Sequence, residues 1–399
     1  MRKMKLFKKA TSLTLALSLI ASSGLLLSTS SAKAETVVDL LQQSSLSIAK
    51  PSAMQKAYIS PGLNLNAKSA GPINVIVQFR NQPIAVGKYA AKMGVNTFSA
   101  ESTVSSINSQ QTSFLQGAAD KGLSITKNFT YNTVINGMEI TIPSNQIQAL
   151  ADLPEVLSVY ENSTYYAIPA PNPTQDQPFI DMEPLNQIGI DYAWNVEKLT
   201  GAGVKVGVID TGVDYKHPDL KDAYKGGYDS FYNRPDPYEE KPDLSNPDNP
   251  FEGTYHGTHV AGTIAGRATN PTSEIVQKGV AYEADMYNYK VLGRDDKTGR
   301  ASGSSAQVID GIERAVRDGA QVINLSLGAD SVKDPNSPDS IAINNAVLAG
   351  VVAVVASGNA ADSGPYYYSM GSPASACLAL LLVPLLVLPK FIQLVFTVH

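Results

Sequence analysis

Val206-Gly-Val-Ile-Asp-Thr-Gly-Val-Asp214 is an apolar run that stops on an acid and a glycine. Val204 to Ile209 has the length and β-branched content of a buried strand. Asp210 stands at its carboxyl end, where α/β sheets build their sites. An Asp in that place also serves as a turn or N-cap residue, so the segment alone does not decide a function. Similar apolar runs follow at Met286 to Leu292, Val322 to Ser326 and Val351 to Ala356. Helical patterns lie among them at Val260 to Ile264, Ala306 to Arg317 and Ser340 to Ala349. This alternation predicts an α/β fold, a parallel sheet with helices on both faces, over residues 181–376. No internal repeat interrupts it.

Upstream, residues 162–180 are rich in Pro, Asn, Gln and Asp and read as a linker and processing region. Before it, residues 71–161 carry a different pattern. Ile73 to Phe79 alternates as a strand, Glu101 to Lys121 is helix-permissive, and Phe129 to Ile142 reads as two strands joined near Asn136-Gly137. Ser144 to Leu153 reads as a short helix opening on a Ser cap, and Val156 to Tyr160 as a last strand. The order β-α-β-β-α-β is that of a ferredoxin-like α+β domain. Residues 35–70 read as a flexible lead-in. The start has a basic region from Met1 to Lys9, an apolar stretch from Leu13 to Leu27, and Ala32-Lys33-Ala34. That is the layout of a secretory signal cleaved after Ala34, with an N-terminal membrane anchor as the alternative.

The charge balance agrees with an exported globular protein. The net charge is −5, but the first 34 residues hold six basic residues and no acid. Without them 25 basic residues face 36 acidic ones, which gives no reason to bind nucleic acid or an anionic membrane. The single cysteine, Cys377, excludes an internal disulfide, so a large core must hold the domain. Asp236 to Pro250 is acidic and Pro-rich and reads as a surface loop between the Asp210 strand and the next motif.

That motif is His256-Gly-Thr-His-Val-Ala-Gly-Thr-Ile-Ala-Gly266, a small-residue helix with His at its start. His is the general base best matched to neutral pH. A metal site at His256 and His259 is the alternative. Metalloprotease helices use another spacing and a Glu that this helix lacks. A third motif, Val354-Val-Ala-Ser-Gly-Asn-Ala360, ends a strand at Asn359, whose amide could donate to a developing oxyanion or sit in an αL turn.

In this order and with these flanks, the three motifs resemble the subtilisin-like serine proteases, or subtilases. The resemblance covers roughly residues 175–376, and residues 73–161 resemble the family's inhibitory propeptide. The propeptide pairing and the long insertion between Asp and His are similar to the larger extracellular subtilases of Bacillus-type bacteria. The resemblance implies a secreted serine endopeptidase made as a zymogen. Asp210 would orient His256, and Asn359 would help bind the oxyanion. Asn324-Leu-Ser-Leu-Gly328 resembles one wall of the pocket for the substrate side chain, with Asn324, Ser326, Leu327 and Gly328 as candidate contacts. Tyr289-Lys-Val-Leu-Gly293 and Ala301-Ser-Gly-Ser304 resemble the strand and edge segment that pair with substrate backbone. Ser302, Gly303 and Ser304 are the candidate contacts there. The propeptide strand lying in the cleft would be Val156 to Tyr160. Implied partners are a protein or peptide substrate and the chain's own propeptide, with the enzyme a monomer. No cofactor is required. A structural calcium is a further expectation, since Asp219 in His217-Pro-Asp-Leu matches a family ligand position, although the loop Arg267 to Lys278 lacks a clear ligand pattern.

The sequence departs from the family after the third motif. The family's nucleophile lies in a Gly-Thr-Ser-x-Ala segment, and none is present. Ser302, Ser304 and Ser305 precede Asn359, and Ser372 and Ser375 flank Pro373 in a loop. From Cys377 to His399 the sequence turns strongly apolar. Leu378 to Val398 has one charge, Lys390, over 21 residues. A transmembrane tail is one reading of residues 377–399. Pro384 and Pro389 within the span, and no basic cluster beyond it, favour the other, a frameshift. No peptidase activity is then expected of this chain. The alternative function is non-catalytic, with residues 71–161 acting as inhibitor or folding chaperone of a related protease.

Overall fold

A computed structural model describes residues 56–63, 71–94, 100–167, 185, 188–247, 250–273, 276–295, 301–329, 333–358 and 370–382. The expected signal segment, Asn359 and the tail beyond residue 382 lie outside the described residues.

The N-terminal part is a sheet of β1 (Tyr58–Ile59), β2 (Pro72–Phe79), β3 (Thr126–Tyr131), β4 (Gly137–Pro143) and β5 (Val156–Glu161), in the order β1-β5-β2-β4-β3. All pairs but β1–β5 are antiparallel. The four main strands thus have the ferredoxin-like order expected from the sequence. Two helices join β2 to β3: α1 (Ile84–Lys92) and α2 (Val104–Asp120). In α2, Thr103 caps the Ser106 N–H at 3.1 Å, and Ile107, Gln111, Phe114 and Ala118 form one buried face at helical spacing. The second expected helix opens as a 3-10 turn, Ser144–Gln146, followed by α3 (Ile147–Ala151), so Ser144 lies inside the turn rather than at its cap. Val75, Val77, Phe79, Phe114, Ile140, Ile142, Leu150 and Val159 build a core that draws on this segment alone.

Beyond β6 (Thr164–Ala167) and α4 (Ile190–Asn195) the chain forms a parallel sheet in the order β15-β14-β12-β7-β9-β8. Its strands are β7 (Lys205–Asp210), β8 (Tyr224–Asp229), β9 (Asp285–Lys290), β12 (Val322–Leu325), β14 (Val352–Ala356) and β15 (Leu380–Leu382). Helix α5 (His256–Ala265) packs on one face, where Val208 and Met286 meet Ala261 and Ala265. On the other face lie α6 (Ser305–Arg317) and α7 (Pro338–Leu348), over Ile209, Tyr289, Ile323, Leu325, Ala353 and Val355. A capping box between Ser304 and Gln307 starts α6. Gly311 lets that helix sit close to the sheet, since a Cβ there would fall 2.6 Å from Val291 Cγ1.

Edge strand β8 was not anticipated. At the start of the segment read as a tail, Ala379 is buried and Leu380–Leu382 pair with β14, just after the buried Ala376. On the α5 side, that end of the sheet is thinly covered. Val352 is 44% and Leu380 37% exposed, and register places Leu380 beside Val354 on the same face. Among the described residues no helix is long and apolar enough to cross a membrane.

Candidate active site

Asp210 ends β7 in the middle of the sheet and is fully buried, and His256 begins α5. Their side chains meet, with His256 Nδ1 2.7 Å from Asp210 Oδ1. The same oxygen accepts the Thr211 N–H at 2.7 Å. The close approach depends on glycine. A Cβ on Gly257 would lie 2.1 Å from the Gly212 carbonyl oxygen, and Gly212 itself has φ 123°. A carboxylate holding one ring nitrogen leaves Nε2 of His256 to take a proton from a nucleophile, the task of a general base.

The acidic loop does more than cover a surface. Glu239 is buried, and its Oε1 accepts from Thr211 Oγ1 at 3.1 Å, Thr258 N at 2.9 Å and Thr258 Oγ1 at 3.1 Å. Its Oε2 accepts from Thr254 Oγ1. Thr211 Oγ1 in turn accepts the Gly257 N–H at 2.9 Å. Glu239 therefore ties the turn after Asp210 to the first turn of the His256 helix. Lys290, also fully buried, donates to the carbonyls of Thr211 and Leu292 and pairs with Glu240 at 3.1 Å. The reading of Asp236 to Pro250 as a surface loop missed both roles. The available signal was a pair of acids beside a polar strand end that needs a buried counter-charge.

The chain's own strand fills a groove whose Gly303 edge abuts Val291, and the Val291 N–H bonds the Asp210 carbonyl at 2.8 Å. β6 lies antiparallel between β11 (Ala301–Ser304) and β13 (Leu327–Gly328). Thr164, Tyr165 and Tyr166 face Ser304, Gly303 and Ser302, while Tyr166 and Ala167 face Gly328 and Leu327. Five expected contacts thus share one ladder: Ser302, Gly303, Ser304, Leu327 and Gly328. Asn324 lies in β12 and donates to Ser326 Oγ at 3.0 Å, outside that ladder. The cleft strand is not Val156 to Tyr160, which pairs inside the N-terminal sheet between β1 and β2. Nor does Tyr289 to Gly293 pair with the inserted strand among the described residues. Gly293 belongs to β10 (Gly293–Arg294), which pairs with β11 from the far side.

Polar contacts anchor the N-terminal segment on α6 and α7. Glu313 is buried and accepts the Asn132, Thr133 and Val134 N–H groups at 2.8, 2.6 and 2.8 Å. Burial pushes its carboxyl above the usual carboxylate range, against the pull of those three donors. Tyr131 Oη donates to the Ala306 carbonyl at 2.9 Å, and burial pushes its phenol well above the ordinary range. Asn345 donates to the Val134 carbonyl at 2.7 Å. Ser305 N donates to the Ser163 carbonyl at 2.8 Å, and Asn162 Oδ1 accepts from Ala306 N at 3.0 Å.

Asp219 holds the loop after α5 through its backbone. Its Oδ1 accepts the N–H groups of Thr269 and Asn270 at 2.5 and 2.7 Å, which already ties down the loop after α5. Among the described residues no cluster of three or more His, Cys, Asp or Glu gathers there or elsewhere. His259 stands apart from His256 on an exposed turn of α5. Ser372 and Ser375 belong to a serine cluster under α7, joined at 2.9 Å and bonded to Ser340.

Comparison with known proteins bears on the family and the fold. Residues 201–382 match the model of the subtilase family, and residues 74–167 that of the peptidase inhibitor I9 family. The chain is 40% identical over 263 residues to the minor extracellular protease Vpr of Bacillus subtilis, covering 62% of this chain and 29% of that protein. It is 33% identical over 248 residues to subtilisin E of the same species, covering 62% of this chain and 54% of the relative. Among solved structures it is similar to fervidolysin from Fervidobacterium pennivorans, a keratinolytic enzyme related to subtilisin, with a TM-score of 0.52 at 21% identity. That likeness covers 83% of this chain and 45% of that one and speaks for the fold alone. The chain thus spans only part of the relatives it matches, and the family match continues to residue 382, beyond the boundary read from sequence.

Proposed function

We infer, from the match of residues 201–382 to the subtilase family and of residues 74–167 to the I9 inhibitor family, that the whole protein is a subtilase, a secreted, monomeric serine endopeptidase held in an inhibited form. The observation that carries this reading is β6, docked as a third strand between β11 and β13 beside the Asp210–His256 pair. An extended peptide bound by β-augmentation is the posture of a protease substrate. Asp210 fixes the His256 tautomer and stabilises the imidazolium, and Glu239 keeps the two elements in register. The proton relay uses no cofactor. Secretion would follow cleavage after Ala34, and Asn359 would supply an oxyanion donor.

The nucleophile is the part this sequence does not contain, since it has no Gly-Thr-Ser-x-Ala segment. A graft tests the reading. The Vpr sequence that follows the counterpart of β15 is joined after Leu382, and the product is assayed on peptides. Activity is expected, falling about 10⁴-fold with Asp210→Asn. An active graft indifferent to Asp210 and His256 would refute the assignment. Purified full chain should neither hydrolyse peptides nor react with a fluorophosphonate. A second reading, the N-terminal segment as a free inhibitor, is favoured by its self-contained core. It predicts that residues 56–167 alone inhibit subtilisin E in competition with substrate.

A further inference from the structure

The inserted strand presents its side chains unequally. Thr164 is exposed, and Tyr166 and Ala167 are half-buried, but Tyr165 is completely enclosed. Its hydroxyl donates to Asp339 Oδ2 at the bottom of the enclosure. Asp339 is itself 1% exposed and sits in the first turn of α7, just after Ser337 and Pro338. A helix N-terminus favours a carboxylate there. Ser337 and Ser372 also face that carboxylate, and Ser372 and Ser305 face the Tyr165 hydroxyl. The serines brace one another: Ser337 meets Ser340 at 2.9 Å and Ser372 at 3.1 Å, and Ser375 closes the ring onto Ser340 at 3.1 Å. The chemistry is that of a fixed acceptor for one O–H.

We propose that this enclosure is a phenol-reading subsite, in which Asp339 selects tyrosine over phenylalanine at one position of any strand docked between β11 and β13. The proposal rests on the reading of that groove as the substrate cleft. A buried carboxylate without its donor is strongly disfavoured, so the penalty falls on the ligand that lacks the hydroxyl. Sites built to bond a substrate hydroxyl reject the deoxy analogue by up to about 10⁴-fold or more. Burial also holds both the Tyr165 phenol and the Asp339 carboxyl above their ordinary ranges, so the phenol keeps its proton as a donor. The same pocket favours the chain's own strand, because Tyr165 is the residue it reads, and it would favour substrates with tyrosine at the matching place.

Chemical rescue tests this in the full chain. Tyr165→Ala empties the pocket, and p-cresol or toluene is then added while melting temperature is followed. The expected result is stabilisation by p-cresol at concentrations at least tenfold below those needed for toluene. That preference should vanish in the Tyr165→Ala, Asp339→Ala double variant. Equal stabilisation by the two compounds in Tyr165→Ala would overturn the proposal. Should that variant not fold, Tyr165→Phe is compared with and without Asp339→Ala by hydrogen exchange at residues 164–167. Lost protection in Tyr165→Phe, partly regained on adding Asp339→Ala, supports the proposal; equal loss from Asp339→Ala in both backgrounds overturns it. Exchange in the unmutated chain separates the two claims. Free exchange at Gly303 and Gly328 would sink the cleft reading itself. Protection there, with toluene matching p-cresol, would sink only the phenol subsite.

Discussion

The N-terminal sheet and the parallel sheet bury their apolar surface in opposite ways. The core of the first draws only on residues from Leu63 to Val159. The main core of the second reaches out of its own segment and takes in Ile76, Tyr131, Val134, Ile135, Tyr160 and Tyr165. One segment is therefore built to stand alone, and the other leans on it. The polar anchors run the same way, with Glu313 of α6 gathering three backbone N–H groups from residues 132–134. A segment of this kind can act as template and as plug at once, as the proposed inhibited form requires.

Separating the two segments should give the largest effect. Residues 56–167 should melt cooperatively when made alone, while residues 185–382 should not. Losing the six apolar partners named above forfeits about 1.5–3 kcal/mol each, against a whole margin of about 5–15 kcal/mol. A cooperative calorimetric transition from 185–382 would break the asymmetry. Next in size is Glu313→Ala, which leaves three N–H groups, one buried and two half-buried, without their acceptor. It should cost the full chain about 3–5 kcal/mol in denaturant unfolding and leave the isolated 56–167 fragment unaffected, since that fragment lacks the residue.

These expectations also show what the sequence made legible. Val204 to Ile209 and Val322 to Ser326 announced themselves because a strand buried on both faces is a continuous apolar run. Asp210 and His256 stood out because each follows or begins such an element with glycines beside it. Strand β8, Tyr-Lys-Gly-Gly-Tyr-Asp, escaped because an edge strand needs no apolar run and two glycines argue against one. Strand β6 escaped for a different reason. Four residues between a strand and a Pro-rich stretch carry no signal of their own, and their ladder is written in β11 and β13, far along the chain. Glu239 was hidden likewise, since an acid in an acidic loop looks solvated until Thr211 and Thr258 are brought to it.

Smaller perturbations sharpen the same contrast. Ile140→Val trims the self-contained core and should lower the stability of both the fragment and the full chain by about 0.5–1.5 kcal/mol. Ile323→Val should lower only that of the full chain, as followed by a probe in α6 or α7. The smallest effect is in pH. Burial raises the carboxyls of Glu313 and Asp339, so the folded chain binds their protons more tightly than the unfolded chain does. Their contribution to stability is therefore greatest near the unfolded carboxylate range, about pH 4. It is lost as pH rises through the raised folded values. The fragment 56–167 lacks both groups, so its melting temperature should fall less between pH 4 and pH 8. Equal slopes would remove these two carboxyls from the account.

Everything proposed for the site turns on Thr164–Ala167 lying between β11 and β13. Hydrogen exchange on the full chain, with and without Tyr166→Pro, tests it most directly. Tyr166 faces Ser302 on one side and Gly328 on the other, and proline removes its N–H and distorts the ladder. Slow exchange is expected at Gly303 and Gly328 in the unmutated chain. The variant should lose it there and keep full protection at 137–143 in the N-terminal sheet. Unchanged protection at Gly303 and Gly328 in the Tyr166→Pro chain would show that the strand does not lie there.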